Sequence, residues 1–161
     1  MSLAYYNSPI GLLAIVGNDY SISQIRFAEG FTVRPSESAP AEVSKCIREL
    51  DEYFNGQRQQ FTVRTAPEGT EFQKKIWKIV QTVEYGRTAS YADIARKYGD
   101  RKAIRAIGKA NGQNPIVIVI PCHRILGLKG ELTGYVGGLE KKKWLLKHEN
   151  AIMPNGQLSL F

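Results

Sequence analysis

The sequence lacks a long apolar run. Its longest apolar runs are five residues, as at residues 116–120, which prolines bound on both sides. A membrane-spanning helix needs about 20 apolar residues. The amino terminus also lacks the basic stretch followed by an apolar core that a secretory leader has. The sequence therefore predicts a cytoplasmic protein that does not associate with membranes.

Cysteine and histidine are scarce. The chain has two cysteines, Cys46 and Cys122, and two histidines, His123 and His148. One disulfide is the most that two cysteines can form, and without an export signal free thiols are expected. Because no Cys-x-x-Cys pair is present, a four-ligand zinc site of the usual kinds is excluded. We expect no metal and no cofactor, and we expect Cys46 to be a core residue of a helix.

Acidic residues are scarce in the second half of the chain. Residues 70–161 hold 16 Lys and Arg against 7 Asp and Glu, whereas residues 1–69 hold 6 against 8. The net charge of +7 is therefore concentrated in the C-terminal part. This asymmetry favours a polyanionic partner such as nucleic acid. A basic surface that only water contacts is the alternative.

The chain divides into segments with different patterns. Turn-forming clusters separate three β-prone segments between residues 3 and 28, which predicts an antiparallel meander. Residues 29–40, rich in Pro, Ser and Glu, are expected to form a loop, and apolar residues recur at helical spacing over Ala41–Phe54. Thr70, with Gln73 three residues on, predicts a capping box at the start of a helix that ends near Tyr85-Gly86. We predict an α+β fold with an N-terminal domain of residues 1–66 (a small antiparallel sheet plus a helix), a mostly helical domain of residues 67–150 with a helix-turn-helix, and a flexible tail of residues 151–161.

Residues 91–110 have the layout of the helix-turn-helix. A short helix over residues 91–98 is followed by the turn residues Gly99 and Asp100 and by a second helix from about Arg101 to Ala110. Three basic residues of the second helix lie one turn apart on one face: Arg101, Arg105 and Lys109. An ordinary helix pair with a basic outer face is the alternative.

The remaining residues of the second helix are apolar or small. Ile104 and Ile107 are expected to pack inward. Ala106 and Gly108 lie between the basic residues and would let the backbone approach a DNA groove closely. This composition favours shallow docking in the minor groove over base reading in the major groove.

Cys122 follows the apolar run at residues 116–120, which predicts a buried strand or extended segment. A nucleophilic thiolate needs a nearby base or a lowered pKa. His123 is adjacent, but neighbouring side chains of an extended segment point apart, so a water relay or a turn is required. A histidine base also needs an orienting partner. The candidate partners are Glu131, Glu140 and Glu149, and a structural cysteine beside a satisfied histidine is the alternative.

Several short motifs occur in order between residues 69 and 149. They are Gly69-Thr70-Glu71-Phe72-Gln73, Tyr85-Gly86-Arg87-Thr88-Ala89-Ser90-Tyr91, Ala106-Ile107-Gly108, Asn114-Pro115, Ile120-Pro121-Cys122-His123-Arg124, Gly134-Tyr135-Val136-Gly137-Gly138-Leu139 and Trp144-Leu145-Leu146-Lys147-His148-Glu149. In this order and spacing, the chain resembles the O6-alkylguanine-DNA alkyltransferases, also called methylated-DNA–protein-cysteine methyltransferases. Residues 1–66 resemble that family only in their general layout.

The resemblance implies roles for four catalytic residues. Cys122 is similar to the cysteine that accepts the alkyl group, and His123 to a base that acts through water. Glu149 matches the carboxylate that orients this histidine. Tyr91 matches the tyrosine that donates to the guanine ring and helps to rotate the nucleotide.

The resemblance also implies DNA contacts and a substrate pocket. Arg105 matches the arginine that fills the gap left by a flipped-out base, and Asn114 the asparagine that ties the recognition helix to the active-site segment. The other DNA-binding residues expected are Arg101, Ala106, Gly108, Lys109 and Arg124. The pocket residues expected are Asn114, Ile125, Tyr135, Val136 and Gly137.

The implied activity is irreversible, single-turnover transfer of an alkyl group from O6-alkylguanine in double-stranded DNA to Cys122. Activity on O4-alkylthymine stays open. Two alternatives remain: a non-enzymatic module of the same fold that recognises the lesion, and a DNA-binding regulator. We expect a monomer. The last five residues, Gln157-Leu158-Ser159-Leu160-Phe161, resemble the peptide with which bacterial repair proteins bind the sliding clamp, and a frayed end is the alternative.

Overall fold

The computed structural model describes residues 1–28 and 38–151. By their internal contacts the residues form two compact units. The first consists of Met1–Glu68 together with Pro115–Val117, and the second of Gly69–Asn114 and the chain from Ile118 onward. Part of the predicted loop at residues 29–40 and the predicted tail after Ala151 lie outside the described residues. Within the described ranges, no helix has both the length and the apolar character needed to cross a membrane.

The first unit is built on a three-stranded antiparallel sheet in the order β1-β2-β3. The strands are β1 (Ser2–Ser8), β2 (Gly11–Gly17) and β3 (Ile22–Phe27). Ala4 pairs with Ile15, and Ile15 pairs with Ile25. Helix α1 (Ala41–Phe54) contacts all three strands. The fully buried core contains Leu13, Ile15, Ile22, Ile25, Val43, Cys46 and Leu50. The predicted meander, helix and core position of Cys46 are confirmed.

The outer edge of β3 is covered by two distant segments. The N–H of Ile22 donates to the carbonyl of Arg64, and the N–H of Ala66 donates back to the carbonyl of Ile22. Ile25 bonds in the same way to the segment Pro115–Val117, with N···O distances of 2.9 and 3.0 Å. The strand edge is thus paired by short bridges, which satisfies backbone groups that would otherwise be open to another chain.

The apolar run at residues 116–120 does not form the predicted strand. Ile116 makes an isolated parallel bridge to Ile25, and two residues later Ile118 has a φ of 73°. This left-handed conformation is uncommon for a β-branched residue. Because the chain turns there, the run does not continue as a regular strand, although it is buried as predicted.

The second unit is mostly helical, as predicted. Its regular elements are α2 (Glu71–Val80), β4 (Ala89–Ser90), α3 (Tyr91–Tyr98), α4 (Ile104–Gly112), β5 (Ile125–Leu126) and α5 (Leu139–His148). The predicted capping box of α2 is present: Thr70 accepts from the N–H of Gln73, and the Gln73 side chain accepts from the N–H of Thr70. Helix α2 ends at Val80 and not near Gly86, because the backbone tightens into i to i+3 bonds at Thr82 and Val83.

Helices α3 and α4 form the predicted helix-turn-helix. Gly99 ends α3 with a φ of 98°, a left-handed conformation that glycine adopts without steric cost. The Asp100 side chain then accepts from the N–H of Lys102 and opens a 3₁₀ turn, Arg101–Ala103, that leads into α4. Ile107 is fully buried, but Ile104 is 40% exposed, so its predicted inward packing is wrong. Residue 104 is the first residue of α4 and lies on its outer side.

Candidate active site

Cys122 lies in a short buried turn. A 3₁₀ turn spans Cys122–Arg124 and directly follows Pro121, and all three of its side chains are buried. The turn is closed by bonds from the N–H of Cys122 to the carbonyl of Ile120 and from the N–H of Arg124 to that of Pro121. The cysteine therefore lies in a turn and not in an extended segment. In this turn the thiol contacts Asn114 and the imidazole contacts Glu149.

Two asparagines hold the cysteine. The Asn114 amide donates to the Cys122 Sγ at 3.1 Å and to the carbonyl of Ile120 at 2.7 Å. The Asn111 amide lies 3.4 Å from the carbonyl of Cys122. Burial raises the pKa of the Cys122 thiol to about 11, although the Asn114 bond and the charge of Lys142 act in the opposite direction. The thiol is therefore protonated at neutral pH, and a base must take its proton before it can act as a nucleophile.

His123 is paired with Glu149. The His123 Nε2 lies 2.7 Å from the Glu149 Oε2, and both side chains are buried. Partnership with His123 and Arg124 holds the pKa of Glu149 far below its ordinary value. An ionised carboxylate only accepts hydrogen bonds, so the Nε2 carries the proton of the neutral ring and the Nδ1 carries the lone pair. Burial lowers the pKa of His123, against the effect of Glu149, which keeps the ring neutral and able to accept a proton.

Arg124 is not at a DNA-binding position, and this prediction is wrong. Its side chain is buried, and the guanidinium donates from Nε to the Glu149 Oε1 at 2.7 Å and from Nη2 to the Glu149 Oε2 at 3.0 Å. The third nitrogen, Nη1, donates to the carbonyl of Val83 at 2.8 Å. The guanidinium also lies over the ring of Tyr85, with its carbon 5.8 Å from the ring centroid. Arg124 therefore supports the carboxylate that orients His123.

Lys142 is a buried charge that the sequence did not indicate. Its Nζ donates to the carbonyl of Ile125 at 2.7 Å and to the carbonyl of Thr133 at 3.2 Å. Burial lowers its pKa to about 8, although Cys122 acts in the opposite direction. It lies in the run Lys141–Lys143, which suggests an exposed surface. Its helical spacing from Leu145, Leu146 and Glu149 was the available signal, because all four lie on the buried face of α5.

Tyr91 begins α3 and lies close to the cysteine turn in the fold. The short parallel pairing of β4 with β5 joins Ser90, which precedes Tyr91, to Leu126. Ser90 also caps α3 through a capping box with Asp93. The Tyr91 hydroxyl lies 2.8 Å from the Thr133 Oγ1. Thr133 is a second site residue that sequence reasoning missed.

The four predicted pocket residues after the cysteine turn occupy different environments. Tyr135 packs edge-on against His123, with ring centroids 6.5 Å apart, and burial of its hydroxyl raises its pKa well above the ordinary value. Val136 is exposed and Gly137 is half-buried. Ile125 is fully buried, and its backbone pairs with Ala89. Of the four, Tyr135 is the one in contact with the catalytic candidates.

The exposed face of the helix-turn-helix carries the other predicted DNA-binding residues. Arg101, Arg105, Ala106 and Lys109 are exposed, and Gly108 is half-buried. A Cβ at Gly108 would lie 3.9 Å from the Tyr91 Cε1, so Gly108 faces the tyrosine ring. In the described part of the chain, no group of three His, Cys, Asp or Glu side chains is arranged to hold a metal ion.

Two family models match the chain. Residues 1–67 match the ribonuclease-like domain of 6-O-methylguanine DNA methyltransferase, and residues 71–151 match its DNA binding domain. The chain is 41% identical over 155 residues to a methylated-DNA–protein-cysteine methyltransferase of Methanosarcina acetivorans, covering 94% of this chain and 99% of that protein. It is 42% identical over 159 residues to one of Mycolicibacterium paratuberculosis, covering 96% and 95%.

Solved structures from Mycobacterium tuberculosis are similar over nearly the whole chain. The O6-methylguanine methyltransferase superposes with a TM-score of 0.79 at 40% identity, covering 92% of this chain and 93% of that one. The OGT protein in complex with DNA superposes with a TM-score of 0.82 at 40% identity, covering 91% and 92%.

Proposed function

The chain belongs to the 6-O-methylguanine DNA methyltransferase family, and from this premise we propose that it repairs DNA by moving the alkyl group of O6-alkylguanine onto Cys122. The activity is that of a methylated-DNA–protein-cysteine methyltransferase. The observation that carries the assignment of Cys122 is its buried contact with Asn114 beside the His123–Glu149 pair. O4-alkylthymine is a second candidate substrate, since it presents the same alkyl–oxygen bond.

The reaction begins with removal of the thiol proton. His123 has its Nε2–H directed to Glu149, which leaves the Nδ1 as the acceptor. A water molecule is proposed to carry the proton from the Sγ to the Nδ1. The ionised Glu149 stabilises the imidazolium that results, as a buried carboxylate does in other histidine-dependent nucleophile sites.

The sulfur then attacks the alkyl carbon. The S–C bond forms as the C–O6 bond breaks, and the electron pair stays on guanine. Tyr91 is proposed to donate a hydrogen bond to the ring where this charge develops. The guanine anion takes one proton from the Tyr91 hydroxyl, and Tyr91 regains a proton from water as His123 releases the thiol proton to water, so the protons balance. The product at Cys122 is a thioether, so each protein molecule repairs one lesion.

Access to the lesion requires the nucleotide to leave the base stack. We assign this step to the exposed face of α4 and the turn before it, with Arg101 of the turn and Lys109 of α4 on phosphates and Arg105 in the space left by the flipped base. Arg105→Ala is expected to slow repair of duplex DNA much more than transfer from the free base. Equal losses on both substrates would remove Arg105 from the flipping step.

Intact-mass measurement tests the proposed function directly. The protein is incubated with a stoichiometric duplex that contains O6-methylguanine, and we expect its mass to rise by one methyl group as the lesion disappears. Cys122→Ser should bind the duplex and gain nothing. A wild-type protein that stays unmodified would contradict the proposal, and it would favour a module that recognises the lesion without repairing it. Lesion loss without a mass gain would indicate a different reaction.

The last five residues of the chain are proposed to bind a second partner besides DNA. Residues 157–161 lie outside the described residues, and we propose from their sequence that they bind a bacterial sliding clamp. Clamp affinity that is unchanged after their deletion would contradict this.

We also propose that the chain acts as a monomer, since one cysteine serves one lesion. Sedimentation that reports a dimer at working concentration would contradict it.

A further inference from the structure

The Tyr91 hydroxyl has a built partner on the segment between β5 and α5. Tyr91 is the first residue of α3, so its backbone is fixed by the capping box of Ser90 and Asp93. Its ring faces Gly108 of α4. Its hydroxyl lies 2.8 Å from the Thr133 Oγ1, and either oxygen can be the donor of this bond. The position of the phenol oxygen is therefore set from both sides, by a helix pair and by one threonine hydroxyl.

Thr133 is itself held in place by a buried cation. Its carbonyl accepts from the Lys142 Nζ at 3.2 Å, and the same nitrogen donates to the carbonyl of Ile125 at 2.7 Å. Lys142 thus joins the backbone of Thr133 to β5, the strand that follows the cysteine turn directly. The segment carrying Thr133 has no regular secondary structure between β5 and α5, so these bonds supply the positional order that a helix or strand would supply elsewhere.

We propose that Thr133 is a positioning residue for alkyl transfer: its hydroxyl donates to the Tyr91 oxygen while Tyr91 donates to the guanine. The inference deepens the proposed function and rests on it. A phenol has one proton to donate and lone pairs to accept with. When Tyr91 directs its proton to the base, the bond to Thr133 persists only if Thr133 is the donor. A threonine hydroxyl can rotate to do so.

The bond from Thr133 to Tyr91 strengthens the bond from Tyr91 to the guanine. Hydrogen bonds in a chain polarise one another, so a phenol that accepts a bond becomes a better donor. The gain is largest when negative charge develops on the guanine, which is the point at which Tyr91 must act. Thr133 touches Tyr91 and not the reacting atoms, so its whole effect on the rate should pass through the Tyr91 hydroxyl.

Single-turnover methyl transfer from duplex O6-methylguanine tests the inference. Thr133→Val keeps the shape and removes the hydroxyl, and we expect the rate constant to fall roughly 3- to 10-fold, the size of one hydrogen bond. Thr133→Ser restores the hydroxyl and should recover most of the rate. Thr82→Val is the matched control, because the Thr82 hydroxyl donates to the carbonyl of Ile79 away from the site, and its rate should be that of the wild type.

The Tyr91→Phe background separates positioning from a merely structural role. Without the phenol oxygen, Thr133→Val should cause no further loss of rate. If Thr133→Val lowered the rate constant by the same factor in both backgrounds, the inference would be overturned. A Thr133→Val rate constant equal to that of the wild type would also overturn it. If thermal unfolding shows that Thr133→Val is not folded, Thr133→Ala replaces it in the same comparison of the wild-type and Tyr91→Phe backgrounds. Wild-type protein that gains no methyl group would instead overturn the proposed function, and the inference with it.

Discussion

Among the residues that the structure describes, two glutamates are buried, one in each unit, and each is paired with an arginine. Glu49 on α1 accepts from the backbone N–H groups of Thr62 and Val63 and lies 3.3 Å from the Nη1 of Arg58. Glu149 at the end of α5 accepts from His123 and twice from Arg124. Both carboxylates meet the general requirement that a buried charge be paired and hydrogen-bonded.

The difference lies in what the partners can do. The partners of Glu49 are two main-chain N–H groups, the Thr62 hydroxyl and Arg58, none of which changes protonation near neutral pH, so Glu49 fastens one segment of chain to a helix. Glu149 bonds to an imidazole, which gains and loses a proton near neutral pH. Burial and pairing of a carboxylate therefore do not by themselves indicate catalysis. A titratable partner that lies next to a nucleophile is the feature that separates the two sites.

The largest expected effect comes from removing each carboxylate charge. Glu149→Gln leaves Arg124 buried with its charge uncompensated, which should cost about 3–5 kcal/mol of unfolding free energy. It should also slow methyl transfer by roughly 100-fold or more, as loss of a base's orienting partner does. Glu49→Gln should cost about 1–3 kcal/mol, because Arg58 is partly exposed.

Denaturant unfolding and single-turnover transfer, measured on the folded fraction, check both variants. The control is internal to the pair: Glu49→Gln should transfer methyl groups at the wild-type rate. A comparable loss of rate in both variants would mean that the two carboxylates differ less than their partners suggest.

A smaller difference is expected at the two arginines. Arg124→Lys keeps the charge but loses the forked geometry that reaches both Glu149 oxygens and the carbonyl of Val83, and should destabilise the fold by about 1–3 kcal/mol. Arg58→Lys should cost under about 1 kcal/mol, because the Arg58 side chain is itself partly exposed and water can replace the contacts that it loses. Urea midpoints at constant m-value measure both. Equal midpoint shifts would contradict the proposed difference in burial.

The smallest expected effect is a slope with pH. Burial lowers the pKa of His123 below its ordinary 6.5. As the pH falls through 6.5, the unfolded chain takes up a proton that the folded ring does not, so stability falls with the pH. The slope from this one group is at most about 1.4 kcal/mol per pH unit. In His123→Gln it should be absent, whereas Glu49→Gln should keep it. Unfolding between pH 7.5 and 5.5 gives the comparison, and parallel curves for His123→Gln and the wild type would be evidence against it.

Local patterns predicted the elements whose stability is local. The apolar spacing of α1 gave its bounds and the capping box of Thr70 gave the start of α2, because both features lie within a few residues of what they define. For residues 116–120 the predicted burial is correct, but no regular strand forms, for the opposite reason. The β-branched composition favours a strand, but the pairing partner of Ile116 is Ile25, about 90 residues away, and the chain turns at Ile118.

The site was predictable where a motif carried it and not where burial decided it. The residues around Cys122 pointed to His123 and left three glutamates as partners. The resemblance singled out Glu149, and the fold pairs His123 with Glu149. Arg124 was assigned to DNA together with the other contacts that the resemblance implies, yet it is buried, and its position depends on a carboxylate 25 residues further along. Thr133 was missed because no spacing rule predicts its hydroxyl contact with Tyr91. Lys142 was missed because its place in the run Lys141–Lys143 suggests an exposed surface, although its helical spacing from two buried leucines was a signal of burial.

The three residues Pro115–Val117 affect the order in which the two units can fold during synthesis. They complete the edge of β3 in the first unit but lie in the chain after α2, α3 and α4 of the second. Domains commonly fold in order from the amino terminus as the ribosome extends the chain. Here the first unit cannot finish until residue 117 has been made, by which time most helices of the second unit exist. No single cut in the chain separates the two units, because three residues of the first lie between the two parts of the second. The ribosome therefore completes the first unit only after it has begun the second.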